Sequence, residues 1–404
     1  MILQMAWKNI WRNPTRSLVI ILSVSAGLFA GIAVLSLYKG MMKTRVQTVI
    51  HAETGHIQMH HKGFSAEQDP KLFIRNANDI KEKLKKDPRI QSFAFRTNTT
   101  GMISNARGSS GINLIGIYPL EENAVSGLSA KMKEGQWKMS SPKKEILIGK
   151  KLAKKMGLEM DKKVVITMTD TTDEMISTAF RIAGIYQSSN APLDEANVYI
   201  KAGDLQSMLE MPGAIHEISV ILKKDELLNT SLNDLKKTLP GISIESWDEL
   251  SPETSLMVNT IDYYSYIILI IILIALSFGI MNTMMMAVLE RKKELSMMLA
   301  LGMSSRQIIQ LIVAETIFLS SIGIPISLLA SLWMIAYYAE KGINLSGIRE
   351  EMMQSFGFST TIYPQYPKEK IFSIIALVLA TALISSIAPV WKTSTIKSKT
   401  ALQN

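Results

Sequence analysis

Apolar residues in this chain gather into four long blocks. Leu18–Tyr38, Tyr263–Leu289 and Ile371–Trp391 carry no charge, and Ile308–Tyr338 contains a single acid, Glu315, and a single proline, Pro325. A helix needs about 20 apolar residues to cross a hydrocarbon layer of roughly 30 Å. Each block therefore predicts a membrane span, and none shows the period-2 alternation of a membrane β-barrel strand. The first block is longer than the apolar core of a signal peptide, so it reads as an uncleaved anchor. The expected fold is an α-helical membrane protein with four transmembrane helices. A large α+β extracytoplasmic domain is inserted between helices 1 and 2. The expected spans are 17–39, 263–289, 308–338 and 371–391. The inserted domain covers 40–262, and 339–370 forms a second external loop.

The insert has mixed patterning. HIQMHH at 56–61 alternates as a half-buried strand does, and ANDIKEKLKKD at 77–87 reads as a short helix with a solvated charged face. Strand-like runs follow at 91–96, 112–118, 145–149, 163–169, 180–186 and 218–222, with short helices at 150–156 and 202–210. Interleaving of this kind predicts one or two compact α+β modules. At 1–16 the spacing of Leu3, Trp7, Ile10 and Trp11 places them on one helical face, which predicts an interfacial helix lying along a leaflet.

Charge changes the picture in one respect. The formal net charge is +9, which in a soluble chain would raise nucleic acid as a partner. Here the cations flank the apolar blocks, so they orient spans and no nucleic acid is expected. Lys8, Arg12 and Arg16 precede the first block, Arg291, Lys292, Lys293 and Arg306 lie between the second and third, and Lys392, Lys397 and Lys399 follow the last. The positive-inside rule then puts both termini and the 290–307 segment in the cytoplasm. The tail is 392–404.

Catalytic chemistry is sparse. No cysteine is present, which excludes disulfides and cysteine metal cages. The phosphate-cradling G-x-x-x-x-G-K-[ST] loop is absent, as are G-x-G-x-x-G, H-E-x-x-H and G-x-S-x-G. His56 and His60 would lie about 13 Å apart on a strand, too far to share one ion. They are expected as exposed strand-edge histidines, with no metal, catalytic or cofactor site. Glu315 leaves two readings open: it pairs across the helix bundle, or it snorkels near the inner interface. Asn282 is a second intramembrane polar residue, and Gly27 and Gly31 form the G-x-x-x-G spacing of close helix packing. An intramembrane enzyme would need paired acids or a Ser–Lys or His set within the spans, and they contain none.

The segment LERKKELSMMLALGMSSRQI, 289–308, carries the most information. Leu295, Met298 and Leu299 share one helical face, and Glu290, Lys293 and Glu294 another. Gly302 suits a left-handed helix end, and Ser304 or Ser305 suits the start of the next helix. A short helix between two spans acts as a lever, and something must push it.

This segment resembles the cytoplasmic coupling helix of FtsX/MacB-like ABC-transporter permeases through Glu290, Arg291, Glu294, Ala300 and Gly302. MAWKNIWRNPTRSLVI at 5–20 is similar to the family's opening, and APVWKTSTIKSKTAL at 388–402 to its close. EILIGKKLAKKMGL at 145–158, FRIAGIY at 180–186 and VYIKAGDLQSML at 198–209 resemble its periplasmic core domain. Met160–Asp161 departs from a Gly-Asp turn common in that family. The layout looks most like the LolC/LolE type.

The resemblance implies a permease subunit of the bacterial inner membrane, with Glu290, Arg291, Glu294, Met298, Ala300, Leu301, Gly302 and Arg306 coupling it to an ATPase. It implies a dimer of cytoplasmic ATPase subunits that holds the ATP and Mg. It further implies a second permease copy or paralogue, contact with membrane lipid, and a lipoprotein substrate passed to a periplasmic carrier. Alternatives that remain open are export of a peptide, antibiotic or lipid, and FtsX-like regulation of a cell-wall hydrolase.

Overall fold

The computed structural model describes residues 2–387 except 138, 140–143, 346, 348 and 349. The expected tail and residues 388–391 of the fourth block lie outside the described residues. The chain divides into two compact units. One comprises 1–42, 259–343 and 362–404, and the other Lys43–Val258 with Asn344–Thr361.

The first unit is helical. Its elements are α1 (Ile2–Arg12), α2 (Pro14–Val49), α3 (Pro252–Glu290), α4 (Lys292–Ala300), α5 (Ser305–Lys341) and α6 (Ile371–Ser385). Pro14 opens α2 where a missing N–H costs nothing. Three helical runs, Pro14–Thr54, Pro252–Glu290 and Ser305–Lys341, are long and apolar enough to cross a membrane. The described part of α6 has 15 residues, about 22 Å of helix, which is short of a full crossing.

The core of this unit follows helical periodicity. Ile20, Val24, Leu28 and Ile32 of α2 pack with Leu269, Leu273, Leu276 and Ile280 of α3 in one buried cluster that also takes in α5 and α6. A Cβ at Gly27 would come within 2.9 Å of Leu276, and one at Gly31 within 3.3 Å of Leu269. The small residues of α2 thus let α3 approach closely within one chain.

The second unit is built on ten strands: β1 (Ile57–His61), β2 (Ile90–Asn105), β3 (Gly108–Ile117), β4 (Met132–Gly135), β5 (Glu145–Gly149), β6 (Lys163–Thr169), β7 (Met175–Tyr186), β8 (Asn197–Lys201), β9 (Glu217–Leu222) and β10 (Ile242–Ser246). The sheet order is β10-β1-β9-β2-β3-β8-β5-β7-β4, with β6 against β2 and β7. The β3–β8 and β5–β7 pairs are parallel. One cluster of apolar side chains gathers β1, β9 and β10 with the helices at 77–86 and 228–238. Another gathers β3 and β5–β8 with the helices at 150–156 and 202–208. The expected modules are therefore two cores under one continuous sheet, joined by the long strand β2.

Two expectations are corrected. The inserted domain does not end at 262 alone, because 344–361 of the second external loop belongs to the same compact unit. That stretch has no clear hydrophobic period, so its partner was illegible. Nor are the histidines exposed at an edge. β1 pairs with β10 on one side and β9 on the other, and His56 and His60 are buried. Burial lowers the pKa of both. Among the described residues no group of three or more potential ligands could hold a metal ion.

Asp194, on the short helix Ala191–Ala196, is buried and accepts the Ser188 backbone N–H at 2.8 Å. Its backbone presses so closely on Gly149 that a Cβ there would lie 1.9 Å from the Asp194 carbonyl oxygen, so only glycine fits. Burial raises the Asp194 carboxyl to about 6, against the pull of the Ser188 hydrogen bonds. A carboxyl raised above its unfolded value contributes stability that is present at low pH and lost as pH rises through about 6. Asp194→Asn is therefore expected to gain on the natural protein by about 1.4 kcal/mol between pH 5 and pH 7.5. Thermal unfolding at the two pH values measures this, and equal shifts at both would contradict the burial argument.

Candidate functional site

The α3–α4–α5 elbow forms because its sequence carries two stop signals and one start signal. α3 ends at Glu290, and Arg291 takes a non-helical φ of −94° before α4 begins. After α4, Gly302 sits at φ +98°, in the region that favours glycine. Ser304 then caps α5. Its hydroxyl accepts the Gln307 N–H, and the Gln307 side chain accepts the Ser304 N–H at 2.8 Å.

The chemical centre of the elbow is Glu315, about two turns beyond the Ile308 start of the third block. Its carboxylate accepts from Arg291 Nη1 at 3.1 and 3.3 Å and from Asn9 Nδ2 at 2.7 Å. Both side chains are withdrawn from solvent, with Arg291 at 8% and Glu315 at 6% exposure. Arg291 Nε also donates to Glu294 at 3.1 Å, and Glu294 in turn pairs with Arg12. One brace therefore ties α1, the start of α4 and the body of α5. Of the two readings of Glu315, cross-bundle pairing describes the structure.

Apolar packing reinforces the brace. Ala6 of α1 is buried against Leu311 and Ala314 of α5, with Met298 of α4 packed against the same cluster. Trp7 meets Phe318 edge-on, with ring centroids 5.6 Å apart. Ile10 is buried with the main bundle core, while Leu3, Trp7 and Trp11 stay exposed. The interfacial face of α1 is thus narrower than its spacing predicts, because Ile10 turns inward. A cavity of ≈ 10 Å³ lies beside the ion pair, between Met284, Val288 and Leu311.

The expected coupling residues divide by direction. Arg291 and Glu294 belong to the brace, and Leu295, Met298 and Leu299 pack inward. Glu290, Ala300, Leu301, Gly302 and Arg306 are exposed. Leu301 is 82% exposed and Met297, which sequence reasoning passed over, 63%. These two side chains leave apolar surface uncovered on α4 and just past its end. Asn282 is exposed on α3 and joins none of this. Asn9 and Arg12 were missed as members of the brace, since their partners lie 306 and 282 positions away. The depth of Glu315 in an apolar block was the one signal that partners must exist.

Comparison with known proteins bears on the same segments. Residues 17–238 match the MacB-like periplasmic core domain, and residues 266–398 match the FtsX-like permease C-terminal region. The lipoprotein-releasing system transmembrane protein LolC of Xylella fastidiosa is 21% identical over 330 residues, covering 78% of each chain. The macrolide export ATP-binding/permease protein MacB of Mannheimia succiniciproducens is 24% identical over 402 residues, covering 95% of this chain and 57% of that one. Among solved structures, the periplasmic region of MacB from Actinobacillus actinomycetemcomitans aligns with 51% of this chain and 94% of its own, at 18% identity and a TM-score of 0.36.

Breaking a buried ion pair from one side strands the other charge, at a cost of about 3–5 kcal/mol, whereas replacing both partners with apolar groups costs far less. Arg291→Met and Glu315→Leu should each destabilise the protein strongly, and the double variant should recover most of the loss. Unfolding of the purified chain in detergent forms the cycle, and simple additivity of the two losses would show that the pair is not coupled.

Proposed function

The chain belongs to the FtsX/MacB-like family of ABC transporter permeases, and from that membership we propose that it converts nucleotide-driven strokes of a separate ATPase subunit into movement of its outer unit. The observation that carries this reading is the braced elbow. A push on the exposed tip of α4, at Met297 and Leu301, is transmitted through a helix that the Arg291–Glu315 and Arg12–Glu294 pairs fasten to α5 and α1. Packed elements joined in this way move together as bodies rather than bending independently.

In this reading α2, α3, α5 and α6 make four spans of the bacterial inner membrane. The elbow and both termini face the cytoplasm, as the flanking cations require. ATP and Mg belong to the ATPase dimer, because these 404 residues carry no phosphate-cradling loop. A second permease, identical or paralogous, completes the transporter. The exposed face of α3, with Ile267, Ile270, Ile274 and Phe278, is available to it or to lipid. The proposed cargo is lipoprotein, extracted from the outer leaflet and passed to a periplasmic carrier. Support for this cargo is the similarity to LolC across 78% of both chains. The second reading, export of a small compound or peptide, is favoured by the similarity to MacB across 95% of this chain.

Two outcomes test the reading. Met297→Asp with Leu301→Asp should abolish co-purification of a Walker-motif ATPase while leaving membrane insertion intact, because neither side chain supports the core. Retained ATPase binding would remove the elbow as the coupling surface. Depletion of the protein should make acylated proteins accumulate in the inner membrane. Normal acylated-protein distribution together with sensitivity to a toxic compound would replace lipoprotein release with export.

A further inference from the structure

The second unit carries a partly open cavity of ≈ 310 Å³, the volume of roughly ten water molecules. It lies over interior strands. Alternate residues of a strand share a face, and here Gln58 and His60 of β1, Arg96 and Asn98 of β2, and Asn113 of β3 line the same space. Asn197 of β8 and Glu217 of β9 complete the polar wall, while Phe64, Ile115, Leu193 and Leu250 supply apolar surface.

The charged groups in this wall are already paired. Arg96 donates through Nε and Nη2 to Glu122 at 2.8 and 2.9 Å, and through Nη1 to Glu217 at 2.6 Å. Glu53, at the margin, is held by Arg45 at 2.9 Å and by the Asn190 amide at 2.7 Å. Burial keeps the His60 imidazole in its neutral form near pH 7. An anion or a cation entering here would find each opposite charge engaged, so the wall does not select for either.

The carboxamides and the imidazole are a different matter. Gln58 is 6% exposed and lines this space. Asn98 donates to Glu217 at 2.6 Å, but its Oδ1 is unpartnered. His60 Nδ1 faces the Ser65 hydroxyl at 3.3 Å and the Glu245 carboxylate at 3.5 Å, and the imidazole lines the same space. A buried polar atom without a partner is costly and rare in native proteins, and Asn98 brings one to the wall that Gln58 and His60 share. Donors and acceptors sit side by side, as hydroxyl groups, which both donate and accept, require.

An extended peptide would meet different needs. It binds by adding a strand to an open sheet edge, whereas β1, β9, β2, β3 and β8 are each paired on both sides. We propose that this cavity is a binding site for a compact, neutral, hydroxyl-rich molecule with the size and chemistry of a mono- or disaccharide. The apolar patch of Ile115, Leu193 and Phe64 takes the C–H face of such a ring, and Gln58, Asn98 and His60 take its hydroxyls.

The test uses the full chain reconstituted in lipid nanodiscs, with ligand-observed NMR and no ATPase present. The probes are glucose, N-acetylglucosamine and maltose, with alanyl-alanine and inorganic phosphate as comparators. At least one sugar should bind saturably with Kd of about 1 mM or tighter. Gln58→Met should weaken it about tenfold. Leu193→Trp, which fills the space from the partly buried rim helix, should abolish it, and this second variant decides the matter if the first does not fold. The proposal is overturned if no sugar binds, if binding is unchanged in the folded variants, or if the dipeptide or phosphate competes equally. Because neither transport nor ATP hydrolysis is read, failure here leaves the coupling mechanism untouched.

Discussion

A buried acidic side chain among apolar helices has to be compensated, and the helical unit is arranged around that constraint. Glu315 draws Arg291 from the end of α3 and Asn9 from α1. Glu294 extends the same chain of charges to Arg12. Without these partners the carboxylate would face a desolvation cost of several kcal/mol. With them, three segments far apart in sequence become one mechanical piece. The elbow is thus stiff where it joins the bundle and apolar where it meets its surroundings, at Met297 and Leu301.

The sheet unit applies the same rule to a different end. Its apolar clusters are ordinary strand-and-helix packing, with Ile57, Met59 and Ile218 in one and Ile146, Ile148 and Ile182 in the other. Between them, alternate positions of the interior strands turn polar. The Arg96–Glu122–Glu217 cluster satisfies its own charges, so it adds little net field to the space beside it. What remains open there is hydrogen-bonding capacity without charge, a property that suits a neutral guest.

Much of the architecture was readable because it rests on local repetition. Block length alone located three helices long enough to span a membrane, and the fourth block is helical through Ser385. Gly302 and Ser304 marked the turn before α5, since each residue type suits one backbone need. Strand alternation at 56–61 and the branched runs at 145–149 and 180–186 fell on β1, β5 and β7. Less was readable at the sites. Arg291 and Glu294 stood out by their motif, but nothing in the motif said that they turn inward to Glu315 rather than outward. His56 and His60 read as edge residues because alternation reports one buried face and says nothing about neighbours on either side.

The amino-acid order by itself determined three helices long and apolar enough to cross a membrane, the sense of their flanking charge, the mixed character of the second unit and the family, because each is written in periods and motifs no longer than a helix or a coupling segment. Tertiary structure alone decided which polar groups meet: Asn9 with Glu315, Arg12 with Glu294, Arg96 with two acids, and Gln58 with Asn98 and His60 around one open space. It also decided that 344–361 joins the outer unit. The physical reason is range. Helix and strand preferences act over a few residues, whereas the pairing of buried charges depends on which distant segments packing brings within about 3 Å.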